Sequence, residues 1–117
     1  MLMTTGSTDL AAEYRQTIVE WVELRSRPAK ANRVFKKNHA IYKELRVTDE
    51  GRAAIQALLT DPVVRVRSLA ATHMLVWAPD EAIPVLEDIA KVAKGEDYMA
   101  AVMVLTQFRA GELNLDW

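Results

Sequence analysis

The 117 residues contain no cysteine, only two histidines, four glycines and four prolines. Without cysteine there is no disulfide framework, no thiolate nucleophile and no thiolate metal site. Two histidines outside any HExxH pattern fall short of the three or four ligands a zinc ion takes. The glycines all stand where helices start or stop, so none belongs to a loop that cradles phosphate. No metal and no cofactor is expected. No stretch approaches the ~20 apolar residues that cross a bilayer, and no membrane association is expected. Met1–Ser7 lacks the basic flank and apolar run of a signal peptide, which points to a cytoplasmic location. Strand-like alternation is also missing, apart from Leu113, Leu115 and Trp117 in a tail too short to stand as an independent strand.

What remains is helical periodicity. Half the residues are apolar and 26% charged, an ordinary balance for a globular domain. At this length, folding removes roughly two-thirds of the chain's surface from water. After a polar lead (residues 1–7), a first helix is predicted from about Asp9 to Arg25, with Leu10, Tyr14, Ile18, Trp21 and Val22 on one stripe. Pro28 starts a second, to about Arg46, whose stripe is Ala31, Val34, Phe35, Asn38, Ile41, Tyr42 and Leu45. Asn38 reads as a satisfied core amide. Thr48 caps a third helix with Ala54, Ile55, Leu58 and Leu59 on its face. Asp61 and Pro62 read as the cap and first position of a fourth, with Val66, Leu69, Ala70, Met74 and Trp77 inward. Asp80 caps a fifth, carrying Pro84 in its first turn and burying Ile83, Leu86, Ile89, Ala90 and Ala93. Gly95 closes that helix. Asp97 caps a sixth through Met99, Val102, Met103, Leu105, Thr106 and Phe108, which ends at Gly111.

The chain also resembles itself. Pro28 and Pro62, Arg33 and Arg67, His39 and His73, and Ile41 and Leu75 are each 34 apart. Ala70-Ala71 maps onto Ala100-Ala101 at an offset of 30, and Asp49-Glu50 onto Asp80-Glu81 at 31. Helices two, four and six then form one class and three and five another, the pattern of an α-solenoid. Asp61-Pro62, Val66-Arg67, Ala70-Ala71 and Leu75, followed by Glu81-Ala82-Ile83-Pro84-Val85-Leu86, resemble the HEAT-like repeat. The period is nearer the short units of bacterial phycobilin-lyase-type proteins. One repeat matches well and its neighbours are degenerate. The whole chain also resembles a small bacterial family of uncharacterised domains, through Ala31-Asn32-Arg33 leading to His39 and through Ala70-Ala71-Thr72-His73. That family has no established activity. The resemblance implies an all-α superhelix of about six antiparallel helices in one domain, residues 1–117. It also implies that Arg67 joins a polar ladder between repeats. Residues 112–117 are expected to cap the open end, on their own chain or on a second copy, which would make a dimer.

No nucleophile, base and orienting group fall into a recognisable arrangement. Three carboxylate pairs (Asp49-Glu50, Asp80-Glu81, Glu96-Asp97) open helices, where the dipole accounts for them. His39 and His73 occupy equivalent repeat positions. Two facing imidazoles are one reading, and two buried structural residues are the other. Charge is the stronger signal. Arg25–Arg46 holds eight basic residues and one acidic, so it carries +7 in a chain whose net charge is −1. The glutamates of the first helix (Glu13, Glu20, Glu23) offset that cluster internally, or else Arg33, Lys36, Lys37, Lys43 and Arg46 face an anionic partner. The leading expectation is a small non-catalytic protein-interaction module with an acidic partner: an adaptor, an inhibitor or a toxin-neutralising immunity protein. A nucleic-acid-backbone binder comes second, weakened by a pI near 6.1. An enzyme using His39 and His73 comes third.

Overall fold

The structure, a computed structural model, describes residues 7–117, with side chains from Asp9 onward. The elements are α1 (Ser7–Glu23), α2 (Pro28–Leu45), α3 (Asp49–Gln56) running into a 3-10 turn (Ala57–Thr60), α4 (Val64–Met74), α5 (Pro79–Val92) and α6 (Glu96–Arg109). No strand occurs among the described residues, and the protein is all-α. The helices fall into two compact units, one ending at Ala57 and the other spanning Leu58–Trp117. The expected lead at residues 1–6 lies outside the described residues. Ser7, expected in that lead, is already helical.

In the first unit, α1 and α2 form an antiparallel pair. Glu13 meets Lys37, Tyr14 and Thr17 meet Asn38, and Trp21 meets Phe35, so one chain rises as the other falls. A four-residue turn, Leu24–Arg27, joins them, and Pro28 takes the first helical position as expected. The Trp21 and Phe35 rings sit 4.9 Å apart and tilted by 44°, a contact worth about 1 kcal/mol beyond burial. Tyr14, Ile18, Ala31, Ile41, Tyr42, Leu45 and Ile55 form the core. Within it lies a polar seam. The Asn38 side-chain amide donates to the Tyr14 carbonyl and to the Thr17 hydroxyl, both at 2.9 Å. Thr17 Oγ1 in turn lies 2.9 Å from the carbonyls of Glu13 and Tyr14, so its single proton is also satisfied. Buried amides need such partners.

The join from α2 to α3 is tight. Thr48 caps α3 by accepting from the Gly51 amide at 2.9 Å, as the sequence predicts. Gly51 itself is more than a helix-start residue. A Cβ built there would overlap the Leu45 backbone, with the carbonyl carbon 2.6 Å and the Cα 2.7 Å away. Only a residue without a side chain lets the start of α3 lie this close to the end of α2.

The second unit departs from the sequence expectations in several details. Asp61 does not cap α4. Its Oδ1 accepts from the Val63 amide at 2.9 Å in an Asx-type turn, and the helix starts at Val64, because Pro62 stands ahead of it in a bend. Arg67 donates to the Asp61 carbonyl at 2.7 Å, so among the described residues it seals its own helix entrance rather than joining a ladder. The helix buries Ser68, Thr72 and His73 alongside Val66, Ala70, Ala71 and Met74, whereas Leu69 and Trp77 are only half-buried. A helix covered on more than one side has no single apolar stripe to read. Thr72 stays satisfied there by donating to the Ser68 carbonyl at 2.8 Å.

In α5, Pro79 takes the first position and Asp80 sits inside the first turn instead of capping it. Pro84 therefore falls beyond that turn and removes one helical hydrogen bond, on an exposed face. Gly95, at φ 65°, precedes α6 rather than closing α5, and Asp97 is a first-turn residue. Arg65 at the start of α4 donates to Asp97 at 2.9 Å and reaches Glu96 at 3.5 Å. This aligns the two helix starts side by side. The buried face of α6 is Ala101 and Leu105, so Met99, Met103 and Thr106 point the other way and are exposed, against expectation. The helix ends as predicted at Gly111, at φ 75°. The Gly111 amide donates to Phe108 at 3.0 Å and the Glu112 amide to Gln107 at 2.8 Å, the paired bonds of a Schellman motif. The turn sends the tail back toward its own unit, where Leu113 and Leu115 line an open pocket together with Leu75, Val76 and Phe108.

Two measurements test this packing. Gly51→Ala, which in an ordinary helix adds about 0.5–1 kcal/mol of stability, should instead cost about 2–3 kcal/mol by overpacking. The Tm should fall by roughly 10 °C or more; an unchanged or raised Tm would mean the helices are not in contact here. Burial pushes the Tyr14 hydroxyl well above its ordinary range, and the neighbouring Tyr42 pushes it further. Folding then favours the protonated phenol. That stability is intact below about pH 10, where the unfolded tyrosine titrates, and drains away above it. The urea midpoint of the native protein should fall between pH 10 and 11.5 more steeply than that of Tyr14→Phe. Parallel slopes would refute the burial.

Candidate functional site

The solvent face of α2 is set by its inner one. With Ala31, Asn38, Ile41, Tyr42 and Leu45 turned inward, 3.6 residues per turn carries Lys30, Arg33, Lys36 and Lys37 outward, all exposed. Lys30, Arg33 and Lys37 follow one another at intervals of three and four, and Lys36 lies beside them. Ala40, the next exposed position, leaves the patch without a bulky neighbour. The sequence pattern alone did not place Lys30 in the site, although its spacing from Arg33 and Lys37 signals the same face.

The five expected cations do not have equal settings. Among the described residues, Arg33 and Lys36 form no ion pair. Lys37 lies 3.7 Å from Glu13, with both side chains at least half exposed, a pair that solvent screens to little net value. Lys43 is half-buried. Arg46 is held in place: its guanidinium lies 5.0 Å from the centre of the Tyr42 ring and donates to the Tyr42 hydroxyl at 3.0 Å. Of the three glutamates of α1, only Glu13 meets a cation of α2 among the described residues. Among the described residues, the exposed cations of α2 without an ion pair are Lys30, Arg33 and Lys36.

The two histidines have separate settings. His39 is in the first unit, 4% exposed, with its ring 5.3 Å from that of Tyr42. Its Nε2 atom is buried and makes no hydrogen bond among the described residues. His73 is in the second unit, 2% exposed, in the last turn of α4, where the helix dipole suits a basic side chain. No group of three or more histidine, aspartate or glutamate residues with metal-binding geometry occurs among the described residues. The acidic pairs at 49–50, 80–81 and 96–97 stand in helix first turns, and Asp97 with Glu96 is engaged by Arg65. No described helix is long and apolar enough to cross a membrane.

Comparison with known proteins carries the fold further than the function. A solved structure described as the protein RPA1889 from Rhodopseudomonas palustris CGA009 is similar at a TM-score of 0.85 and 26% identity, covering 97% of this chain and 98% of that one. Among curated proteins there is no match. The family model described as a domain of unknown function, DUF2019, matches residues 9–108, from the first turn of α1 to the last turn of α6. The chain belongs to the DUF2019 domain family.

Proposed function

We propose that this protein is a non-catalytic interaction module that binds an acidic protein through the outer face of α2. The observation that carries this is the exposed Lys30, Arg33, Lys36 and Lys37 group, whose one ion pair is long and screened. Like charges one helical turn apart repel by a few tenths of a kcal/mol per pair, and a partner bearing carboxylates relieves that repulsion. The arrangement suits a protein better than a nucleic acid, because the whole chain carries −1 and would repel a long polyanion beyond the patch. The HEAT-like reading fits this use, since repeat stacks present helix faces to partners. The start-to-start pairing of α4 with α6 through Arg65 and Asp97, 32 residues apart, supports stacked equivalent helices within the second unit. An adaptor, an inhibitor and an immunity protein all use such a face. An enzyme centred on His39 and His73 has less in its favour, as both rings are buried rather than presented to a substrate.

Exchanging Arg33 and Lys36 for glutamate tests the proposal, because both are exposed and their loss leaves the core untouched. Thermal stability should stay within about 0.5 kcal/mol of the native protein. Capture of an acidic protein from extract of the source cell should drop at least tenfold, with or without nuclease treatment. Unchanged capture would sink the proposal. Capture that depends on nucleic acid and collapses between 50 and 200 mM salt would replace it with backbone binding.

A further inference from the structure

The exposed cations of α2 have a counterpart in the second unit. The outer face of α5 carries Asp80, Glu81, Glu87 and Asp88, all exposed, around the exposed Pro84. Among the described residues, Asp80, Glu81 and Asp88 form no ion pair. Glu87 has one, with Arg109 at 2.9 Å, and both side chains are about half exposed. The two faces match in spacing. Lys30 and Lys37 stand seven residues apart, as do Asp80 and Glu87, and Glu81 and Asp88. On a helix that is about two turns, a rise of about 10.5 Å. Each face then reverses sign toward its C-terminal end, where exposed Glu44 follows the cations of α2 and exposed Lys91 follows the carboxylates of α5. Pro84 has no amide hydrogen, so the Asp80 carbonyl lacks its usual helical donor and offers one more acceptor on this face.

We propose, resting on the reading of α2 as the binding face, that its acidic partner is a second copy of this chain, which docks there by the outer face of α5. The charges also set the direction, since complementary potentials fix register and like charges oppose it. Laid parallel, with Lys30 of one copy beside Asp80 of the other and Lys37 beside Glu87, the two helices bring Glu44 beside Lys91 as well. Laid antiparallel, Glu44 passes beyond the start of α5 and Lys91 comes beside exposed Arg27, a like charge. The parallel pairing is the complementary one. It relieves two clusters of like charge at once, the cations of α2 and the carboxylates of α5, where an unrelated acidic protein relieves one. Every pair in it is solvent-exposed, so the contact is weak, sensitive to salt and dependent on concentration.

Sedimentation equilibrium of the full chain in low salt, at concentrations up to about 1 mM, tests this, since that range populates contacts as weak as high micromolar. The average mass of the native protein should rise with concentration above 13.2 kDa. It should return toward the single-chain value in about 1 M salt, where charges act only within about 3 Å. Arg33→Glu with Lys36→Glu reverses one face, and Glu81→Lys with Asp88→Lys reverses the other. Each of these exposed pairs of changes should weaken self-association at least about tenfold. Mixed in equal amounts, the two variants should associate again to within about threefold of the native protein, because the two reversed faces attract each other and so do the two native ones. A native protein that stays at 13.2 kDa in low salt would overturn the proposal. So would a variant that associates as the native chain does, or a mixture that does not recover. Capture from cell extract that is lost with Arg33→Glu and Lys36→Glu, while the native chain stays monomeric, would keep α2 as the binding face and remove only the second copy as its partner.

Discussion

The buried amide of Asn38 constrains more of the first unit than any apolar residue does. An apolar face tolerates small rotations of a helix, because hydrophobic contact has no direction. A buried amide does not, since losing its acceptors costs about 1–3 kcal/mol. Bonded to the Tyr14 carbonyl and the Thr17 hydroxyl, Asn38 fixes both the rotation of α2 and its height along α1. The aromatic contact of Trp21 with Phe35 then falls into place one turn away. The outward direction of Lys30, Arg33, Lys36 and Lys37 follows from the same rotation. The polar residue inside the pair is thus what aims the charged residues outside it.

The second unit is held by different means. Arg65 joins the starts of α4 and α6, with its own side chain only 16% exposed. A partly desolvated pair of this kind has more directional effect than the exposed bridge of Arg109 to Glu87. Arg67, bonded to the Asp61 carbonyl, closes the bend that leads into α4. The Schellman turn at Gly111 then sends the last residues back toward their own unit. Each of these contacts ends a helix or joins two, while the middles of α5 and α6 rely on Leu86, Ile89, Ala101 and Leu105.

Geometry decides how the charge of α2 is shared between the fold and its surface. Eight cations in 22 residues look alike in a sequence, but the fold gives them different surroundings. Arg46 is drawn onto Tyr42, and Lys37 lies within reach of Glu13. Arg33 and Lys36 point to water without an ion pair among the described residues. A helix can shed part of such a cluster onto its neighbours, yet only where a carboxylate stands on the adjoining face. Among the described residues, Glu20 and Glu23 lie on the same helix as Glu13 without pairing with α2, so the cluster's outer half remains as surface potential.

The sequence by itself determined the helical class, the six helices and three of their ends, at Pro28, Thr48 and Gly111. These rest on local chemistry: Pro28 must start a helix or break one, Thr48 must find an amide to accept from, and Gly111 takes a left-handed turn at little cost. It also identified Asn38 as a core amide, because a polar residue on an otherwise apolar stripe goes inward with its neighbours and must find partners there. Tertiary structure alone decided which sides of α4 and α6 are covered. Burial of Ser68 and His73, and exposure of Met99 and Met103, depend on neighbouring helices that no local pattern encodes. It alone revealed Gly51 as a contact point, since the close backbone lies six residues away in another helix. It likewise sorted the cations of α2 into engaged and outward-facing ones. Local turns and caps are settled within a few residues of chain, whereas burial and pairing are properties of surfaces that meet only after the chain has folded.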